Sequence, residues 1–323
     1  MGFGHGANSD WTASAPLVVQ AQDVLAPDGS PTQALVEAYK REGYLVLRGL
    51  WGADVLHALS QDIAALVQLQ LEHITPSAAP QRDRTGQLED VLGTPTLALA
   101  KQRRKALGAV YDAAMKLLSV RRLGAEPRLT RLVAGLLPGA LLAISNNIIV
   151  RIDLPEEDAF LFDHWHQDYP YSMVSQRGLV LWAPIRPIPL DVGPVQVLPG
   201  SHRQGLRPTT IDSRGHFVVD AAADPDRATG AAREPVQCAV DVGDVVLFDL
   251  MTVHRSARNL SPLPRWTVTF RYCDMRHAQS VREGWPSFYQ QGRHFAAVHP
   301  QMVQQDHRMP TTSPARDQAG QSP

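Results

Sequence analysis

"LLAISNNIIVRIDL", Leu141–Leu154, is where the character of the chain changes. Asn146, Ile148, Val150 and Ile152 share one parity, and Ser145, Asn147, Ile149, Arg151 and Asp153 share the other. Successive side chains of a strand point to opposite faces, so this stretch reads as a strand with a mostly apolar face and a polar one. The apolar face belongs against a core. The polar face, with Asn147 and Arg151, belongs either in a cleft, where both would touch a bound small molecule, or in solvent.

Before this stretch the periodicity is helical. "TQALVEAYKREGYLVLRGL" has Leu35, Val36 and Tyr39 at helical spacing, then Gly43 as a stop, then the β-rich "YLVLRGL". "GADVLHALSQDIAALVQLQL" and "TPTLALAKQRRKALGAVYDAAMKLLSV" repeat apolar residues at three and four. Between these two, "EHITPSAAPQRDRTGQLEDVLGTP" is polar and turn-rich and is expected to be a loop able to cover a cleft. After Leu154 come short β-branched or alternating runs, "GLVLWAPI", "GPVQVLP", "HFVVD", "EPVQCAV", "DVVLFDL" and "RWTVTFRYCD", punctuated by Gly, Pro and Asp. The order predicts a mainly β fold with a helical layer packed on an antiparallel sandwich or barrel, and there is no internal repeat of the solenoid kind. A single domain is expected over 1–323: a tail at 1–16, a helix-rich support region at 17–139, the β core at 140–275, an extension at 276–307 and a second tail at 308–323.

Charge narrows the partners. The chain has 31 Lys and Arg against 32 Asp and Glu, so it lacks the basic field that gathers nucleic acid or anionic membrane, and a small-molecule partner is expected. No apolar run approaches the roughly 18–20 residues needed to span a bilayer, and "MGFGHGANSDW" has no signal-peptide pattern. Two cysteines, Cys238 and Cys273, are too few for a disulfide framework and suit a reducing cytoplasm. Oligomeric state is not legible.

"FDHWHQDYPY", Phe162–Tyr171, puts His164, His166 and Asp168 at alternate positions. In an extended chain, alternate residues lie about 6.6 Å apart on one face, close enough for two side chains to converge on an ion about 2.1 Å from each donor. His166 with Asp168 then needs a third ligand, and His254 in "DVVLFDLMTVHRSARN" ends a strand-like run at a polar loop. Two histidines and one carboxylate on one side of iron(II) form a facial triad with three open positions. The other pair, His164 with His166, suits a cupin-type site with a following glutamate, but the first Glu after His166 is Glu234. Arg265, eleven positions after His254, opens the next alternating strand and can hold a carboxylate through a two-point contact.

Taken together, "HQD", "GPVQVLPGSHRQG" and "GDVVLFDLMTVHRSARNLSPLPR" resemble the signature of the phytanoyl-CoA dioxygenase family of iron(II)/2-oxoglutarate oxygenases. "YKREGYLVLRGL" also resembles the start of that family's domain, so the likeness runs from about Leu35 to Tyr272. The resemblance implies a double-stranded β-helix core flanked by N-terminal helices. It implies that His166, Asp168 and His254 hold Fe(II), that Arg265 pairs with the 5-carboxylate of 2-oxoglutarate, and that Ser256 helps bind that co-substrate, with O2 as oxidant. With Asp168 present where related halogenases have a small residue, it implies hydroxylation, with release of succinate and CO2.

The remaining candidates have bland explanations beside the functional ones. Trp165, Tyr169, Tyr171 and Trp182 either wall a substrate pocket or fill core. Arg271 shares the parity of Arg265 and is either a second anion site or half of a cross-strand ion pair. His202 in "PGSH" sits in a turn and is read as structural, and Lys101 to Lys105, "KQRRK", as a solvated helix face. Inward Asn147, Arg151 and Arg271 favour a polar or anionic small metabolite, with an acyl-CoA thioester second. A cupin-type metalloenzyme independent of 2-oxoglutarate and a non-catalytic ligand-binding barrel are the alternatives.

Overall fold

Alternation in the strands sorts the side chains of the core into two sets, one facing helices and one facing a second sheet. The computed structural model describes residues 16–74, 90–146, 148–155, 163–221, 233–286 and 295–304. Strands β1 (Val18–Gln20), β2 (Tyr44–Arg48), β3 (Leu142–Ile144), β4 (Ile149–Asp153), β5 (Gly178–Pro184), β10 (Val245–Asp249) and β12 (Arg265–Asp274) form the larger sheet, in the order β1-β2-β10-β5-β12-β3 with β4 also paired to β12. Three more, β6 (Val195–Val197), β9 (Val236–Gln237) and β11 (His254–Ser256), form a smaller sheet in the order β11-β6-β9, and β7 (Thr210–Ile211) pairs with β8 (Phe217–Val218) as a hairpin. All of these pairings are antiparallel except β1 with β2.

Leu45, Leu47, Leu179, Leu181, Val245, Leu247, Val150, Trp266, Val268 and Phe270 pack in one cluster with Leu56, Leu59, Ile63, Leu107, Val110 and Leu129. Those partners come from the helices Ala53–Ile74, Arg104–Ala114 and Pro127–Leu136, so one face of the large sheet carries the helical layer. The opposite parity, with Tyr44, Val46, Val180, Trp182, Val246 and Phe248, packs on Val195, Val197 and Val236 of the small sheet. Burial on both faces explains why β5 and β10 read as nearly continuous apolar runs. It also makes the polar residues of inner parity conspicuous. Arg265, Thr267, Thr269 and Arg271 on β12, with Arg151 and Asp153 on β4, all point between the sheets.

The ends of the helices are set locally. Thr32 accepts a hydrogen bond from the Leu35 amide at the start of Gln33–Glu42, and Gly43, at φ 72°, closes that helix in the left-handed conformation that leads directly into β2. A side chain at Gly43 would also meet the His202 ring, whose Nε2 lies 2.9 Å from the Lys40 carbonyl. His202 is therefore a brace between the helix and the turn, as its sequence context indicates. Among the described residues, no helix is long and apolar enough to cross a membrane. Most of the loop expected between the two long helical segments, both tails and Asn147 lie outside the described residues.

Leu181, fully buried at the centre of the large sheet, reports on the joint between sheet and helices. Leu181→Ala is expected to lower the unfolding free energy by about 2–5 kcal/mol in urea denaturation, without changing the metal stoichiometry of the folded protein.

A candidate metal centre between the sheets

Residues far apart in sequence meet through one reciprocal backbone contact. The His166 amide donates to the His254 carbonyl at 3.0 Å, and the His254 amide donates back to His166 at 2.9 Å. Residues that exchange both hydrogen bonds of an antiparallel pair lie directly opposite with side chains on the same face. Their rings are accordingly 4.2 Å apart, centre to centre. The Asp168 amide is held by the Leu250 carbonyl at 3.1 Å, which turns its carboxylate to the same point.

One donor atom from each of His166, Asp168 and His254 lies within 4.8 Å of the other two, and all three residues are buried. Oδ1 of Asp168 is 3.9 Å from Nε2 of His166 and 3.7 Å from Nε2 of His254. Donors about 2.1 Å from a shared ion at right angles stand about 3 Å apart, so the Asp168 oxygen is within about an ångström of metal-binding separation from each histidine. The far side of each ring fits as well. Nδ1 of His166 meets the His164 carbonyl at 2.9 Å, and Nδ1 of His254 meets the Thr252 carbonyl at 3.0 Å. A carbonyl takes the N–H, which leaves the Nε2 lone pair aimed inward, the tautomer a metal requires.

Electrostatics agree. Burial first, and then the neighbouring His254 and His164, hold His166 well below its usual pKa, and burial lowers His254 despite the opposing pull of Asp168. Burial would raise Asp168, but the Arg271 guanidinium and His254 hold it below the usual carboxylate value. The site therefore offers two neutral imidazoles and one carboxylate, the ionisation state in which these groups bind metal.

The cavity at this point is lined by the triad and by Ile149, Arg151, Tyr171, Trp182, Val195, Phe248, Ser256, Thr269 and Arg271. Arg151, Ser256, Tyr171 and Trp182 are thus brought to the site. Tyr169 is not, since its hydroxyl is 2.9 Å from Nε2 of the buried His299, and Trp165 instead carries the Arg255 guanidinium 4.5 Å above its ring. Arg265 is buried but is not among the residues lining this cavity. Its Nε is 3.0 Å from Asp153, its Nη1 is 2.9 Å from the Ala257 carbonyl, and it also bonds the Gly193 carbonyl. Asp153 is shared with Arg151, whose Nε is 2.7 and 2.9 Å from its two oxygens. Both guanidiniums hold Asp153 ionised against the upward push of its burial.

His164 does not join the triad. Its ring stacks on His216 at 4.6 Å with 14° between planes, beside Asp212, so that these three also bring possible ligand atoms within 4.8 Å. Imidazole lone pairs lie in the ring plane, and two nearly parallel rings cannot aim them at one ion. Asp212 is also occupied, with Oδ1 accepting the amides of Arg214 and His216 at 2.8 Å each and Oδ2 facing Arg214 Nε at 3.3 Å. The geometry is that of a braced hairpin. His164 is held neutral, its pKa brought down to about 4 by burial and then by His216.

Gln167 escaped the sequence reading although it lies between the two ligands of "HQD". Fully buried, it donates to the Gly205 and Met251 carbonyls at 2.8 and 2.7 Å and accepts the Arg207 amide at 2.9 Å. Pointing away from the metal, it fastens the His166–Asp168 segment to the loop that leads into β11. Its signal was alternation itself: an amide flanked by two inward residues must face the opposite side.

Comparison with known proteins gives a consistent set. The family model described as phytanoyl-CoA dioxygenase (PhyH) matches residues 39–267. The chain is 22% identical over 281 residues to an ectoine dioxygenase of Bordetella bronchiseptica, covering 82% of this chain and 83% of that one. It is 24% identical over 276 residues to an ectoine dioxygenase of Stutzerimonas stutzeri, covering 81% and 82%. Among solved structures, the epimerase SnoN in complex with Fe3+, alpha ketoglutarate and nogalamycin RO superposes with a TM-score of 0.52 at 21% identity, covering 75% of this chain and 83% of that one. EctD from S. alaskensis with bound Fe superposes with a TM-score of 0.50 at 18% identity, covering 81% and 84%.

If only one cluster holds metal, anaerobic Co(II) titration should saturate at a single ion per chain. His254→Ala and Asp168→Ala should abolish that binding, and Asp212→Ala should leave it unchanged. A second ion lost in Asp212→Ala would show that the stacked histidines open to ligate.

Proposed function

Since the chain belongs to the phytanoyl-CoA dioxygenase family, we infer that it is an iron(II)- and 2-oxoglutarate-dependent oxygenase that hydroxylates a small polar or anionic metabolite. The observation that carries this is the convergence of His166, Asp168 and His254 on one buried point, with both outer ring nitrogens at backbone carbonyls. We read the fold as a double-stranded β-helix supported by the N-terminal helices, in one domain. Iron bound at the triad would supply O2 chemistry in which 2-oxoglutarate is oxidatively decarboxylated to succinate and CO2 and one oxygen atom enters a substrate C–H bond.

The protein's own part is to place the two organic molecules. Three guanidiniums of inner parity, Arg151, Arg265 and Arg271, face two carboxylates, Asp153 and Asp168. Arg271 is matched to Asp168, so the excess positive charge of this set lies at the Arg151–Asp153–Arg265 end. That excess favours an additional anion there. The far carboxylate of 2-oxoglutarate would be held by Ser256 and Arg151, which line the cavity, and by Arg265, which is fastened to the Ala257 carbonyl next to Ser256. Tyr171, Trp182 and Phe248 give the rest of the cavity an aromatic wall for substrate.

The match to ectoine dioxygenases supports a compact polar substrate over a thioester. Cys238 and Cys273 are free and buried, in keeping with a cytoplasmic setting, and nothing in the charge balance favours nucleic acid.

Incubated with Fe(II), 2-oxoglutarate and O2, the protein should release succinate, and screening metabolite pools for accelerated O2 uptake should find the substrate. Turnover without 2-oxoglutarate would instead identify a cupin-type enzyme, and ligand binding without succinate a non-catalytic barrel. Arg265→Ala and Arg151→Ala should each raise the 2-oxoglutarate requirement about 10- to 100-fold while changing the iron requirement far less. Equal effects on both requirements would make these arginines purely structural.

A further inference from the structure

Asp168 has two oxygens, and the structure treats them differently. Oδ1 is the atom facing Nε2 of both histidines. Oδ2 accepts a hydrogen bond from Nε of Arg271 at 2.8 Å. Both residues are buried, with Arg271 at 6% and Asp168 at 3% exposure. Arg271 in turn is fixed by register: it lies opposite Val180 in the pairing of β12 with β5, between outward-facing Phe270 and Tyr272, so its side chain must enter the space between the sheets.

Resting on the metal assignment above, we propose that Arg271 is a positioning residue that makes Asp168 a one-oxygen ligand and so keeps a coordination position open beside the triad. A carboxylate binds a cation through one oxygen or through both. Three protein donors on one face of a six-coordinate ion leave three positions, enough for a two-point co-substrate and O2. Were both oxygens of Asp168 to bind, one of those positions would close. A charge-assisted hydrogen bond to Oδ2, made in a buried site where water does not compete, holds that oxygen off the ion and fixes the rotation of the carboxylate. The use of Nε matters too, since it directs the bond along the side of the guanidinium and leaves Arg271 lining the cavity rather than closing it. Partners that orient a ligand's second atom are commonly worth 10–100-fold in metal affinity.

A solely structural ion pair would show the same distance, so the test must read the metal. Anaerobic Co(II) titration, followed by 2-oxoglutarate titration of the Co(II) form through its visible absorption, compares wild type with Arg271→Gln and Arg271→Lys; folding is monitored by circular dichroism. In Arg271→Gln the Co(II) affinity is expected to fall roughly 10–100-fold, the absorption of the Co(II) form to change, and 2-oxoglutarate to bind more weakly to the metal-loaded protein. Lysine keeps a charged donor, and Arg271→Lys is expected to recover part of both affinities. Folded variants with wild-type Co(II) affinity, spectrum and 2-oxoglutarate affinity would overturn the proposal, as would a loss of thermal stability with the metal properties intact. Should Arg271→Gln fail to fold, the same readouts in Arg271→Lys decide, with an unchanged spectrum and unchanged 2-oxoglutarate affinity counting against it. His254→Ala serves as the separate control: retention of Co(II) in that variant would refute the metal site itself, whatever Arg271 does.

Discussion

The reciprocal hydrogen bonds between His166 and His254 are the constraint on which the site depends. They join the end of a loop segment to the start of β11, and β11 is paired through β6 to the rest of the small sheet. Through this link, two imidazoles separated by most of the β region become opposite residues of an antiparallel pair. Everything else at the centre refines that placement. The Thr252 and His164 carbonyls choose the tautomers, the Leu250 carbonyl sets Asp168, and Gln167 ties the segment from the far side.

Burial supplies the chemistry as well as the geometry. Both sheets are apolar where they meet, so every charged group of inner parity must find a partner. Asp168 finds Arg271, and Asp153 is divided between Arg151 and Arg265. An interior with more guanidinium than carboxylate is costly for a fold with no ligand and appropriate for one that receives anions. The same low-water surroundings keep His166 and His254 neutral, as metal binding needs.

Much of this was legible in the chain because it rests on short-range alternation. The switch from helical to strand periodicity near Leu141 and the division of Ile149–Asp153 into two faces follow from a repeat of two, which also sets His164, His166 and Asp168 on one parity without choosing between the two pairs. What sequence left open depends on register. Asp153 faces Arg265 only because β4 pairs with β12 in that frame, so the arginine expected to anchor a ligand carboxylate also holds a carboxylate of the protein. His164 shares the parity of His166, and its ring lies 5.0 Å from the His166 ring while it stacks on His216. For Arg271, parity allows either a second anion site or half of a cross-strand ion pair; its Nε lies 2.8 Å from Oδ2 of Asp168, a residue outside the strands paired with β12, and the side chain also lines the cavity.

An iron site assembled from these side chains and able to bind 2-oxoglutarate has an optical signature. Anaerobic titration of the folded protein with Fe(II) and then 2-oxoglutarate tests it most directly. A weak visible charge-transfer band is expected that appears only when both are present and is lost in Asp168→Ala. A folded, iron-loaded protein that develops no band at saturating 2-oxoglutarate would contradict it.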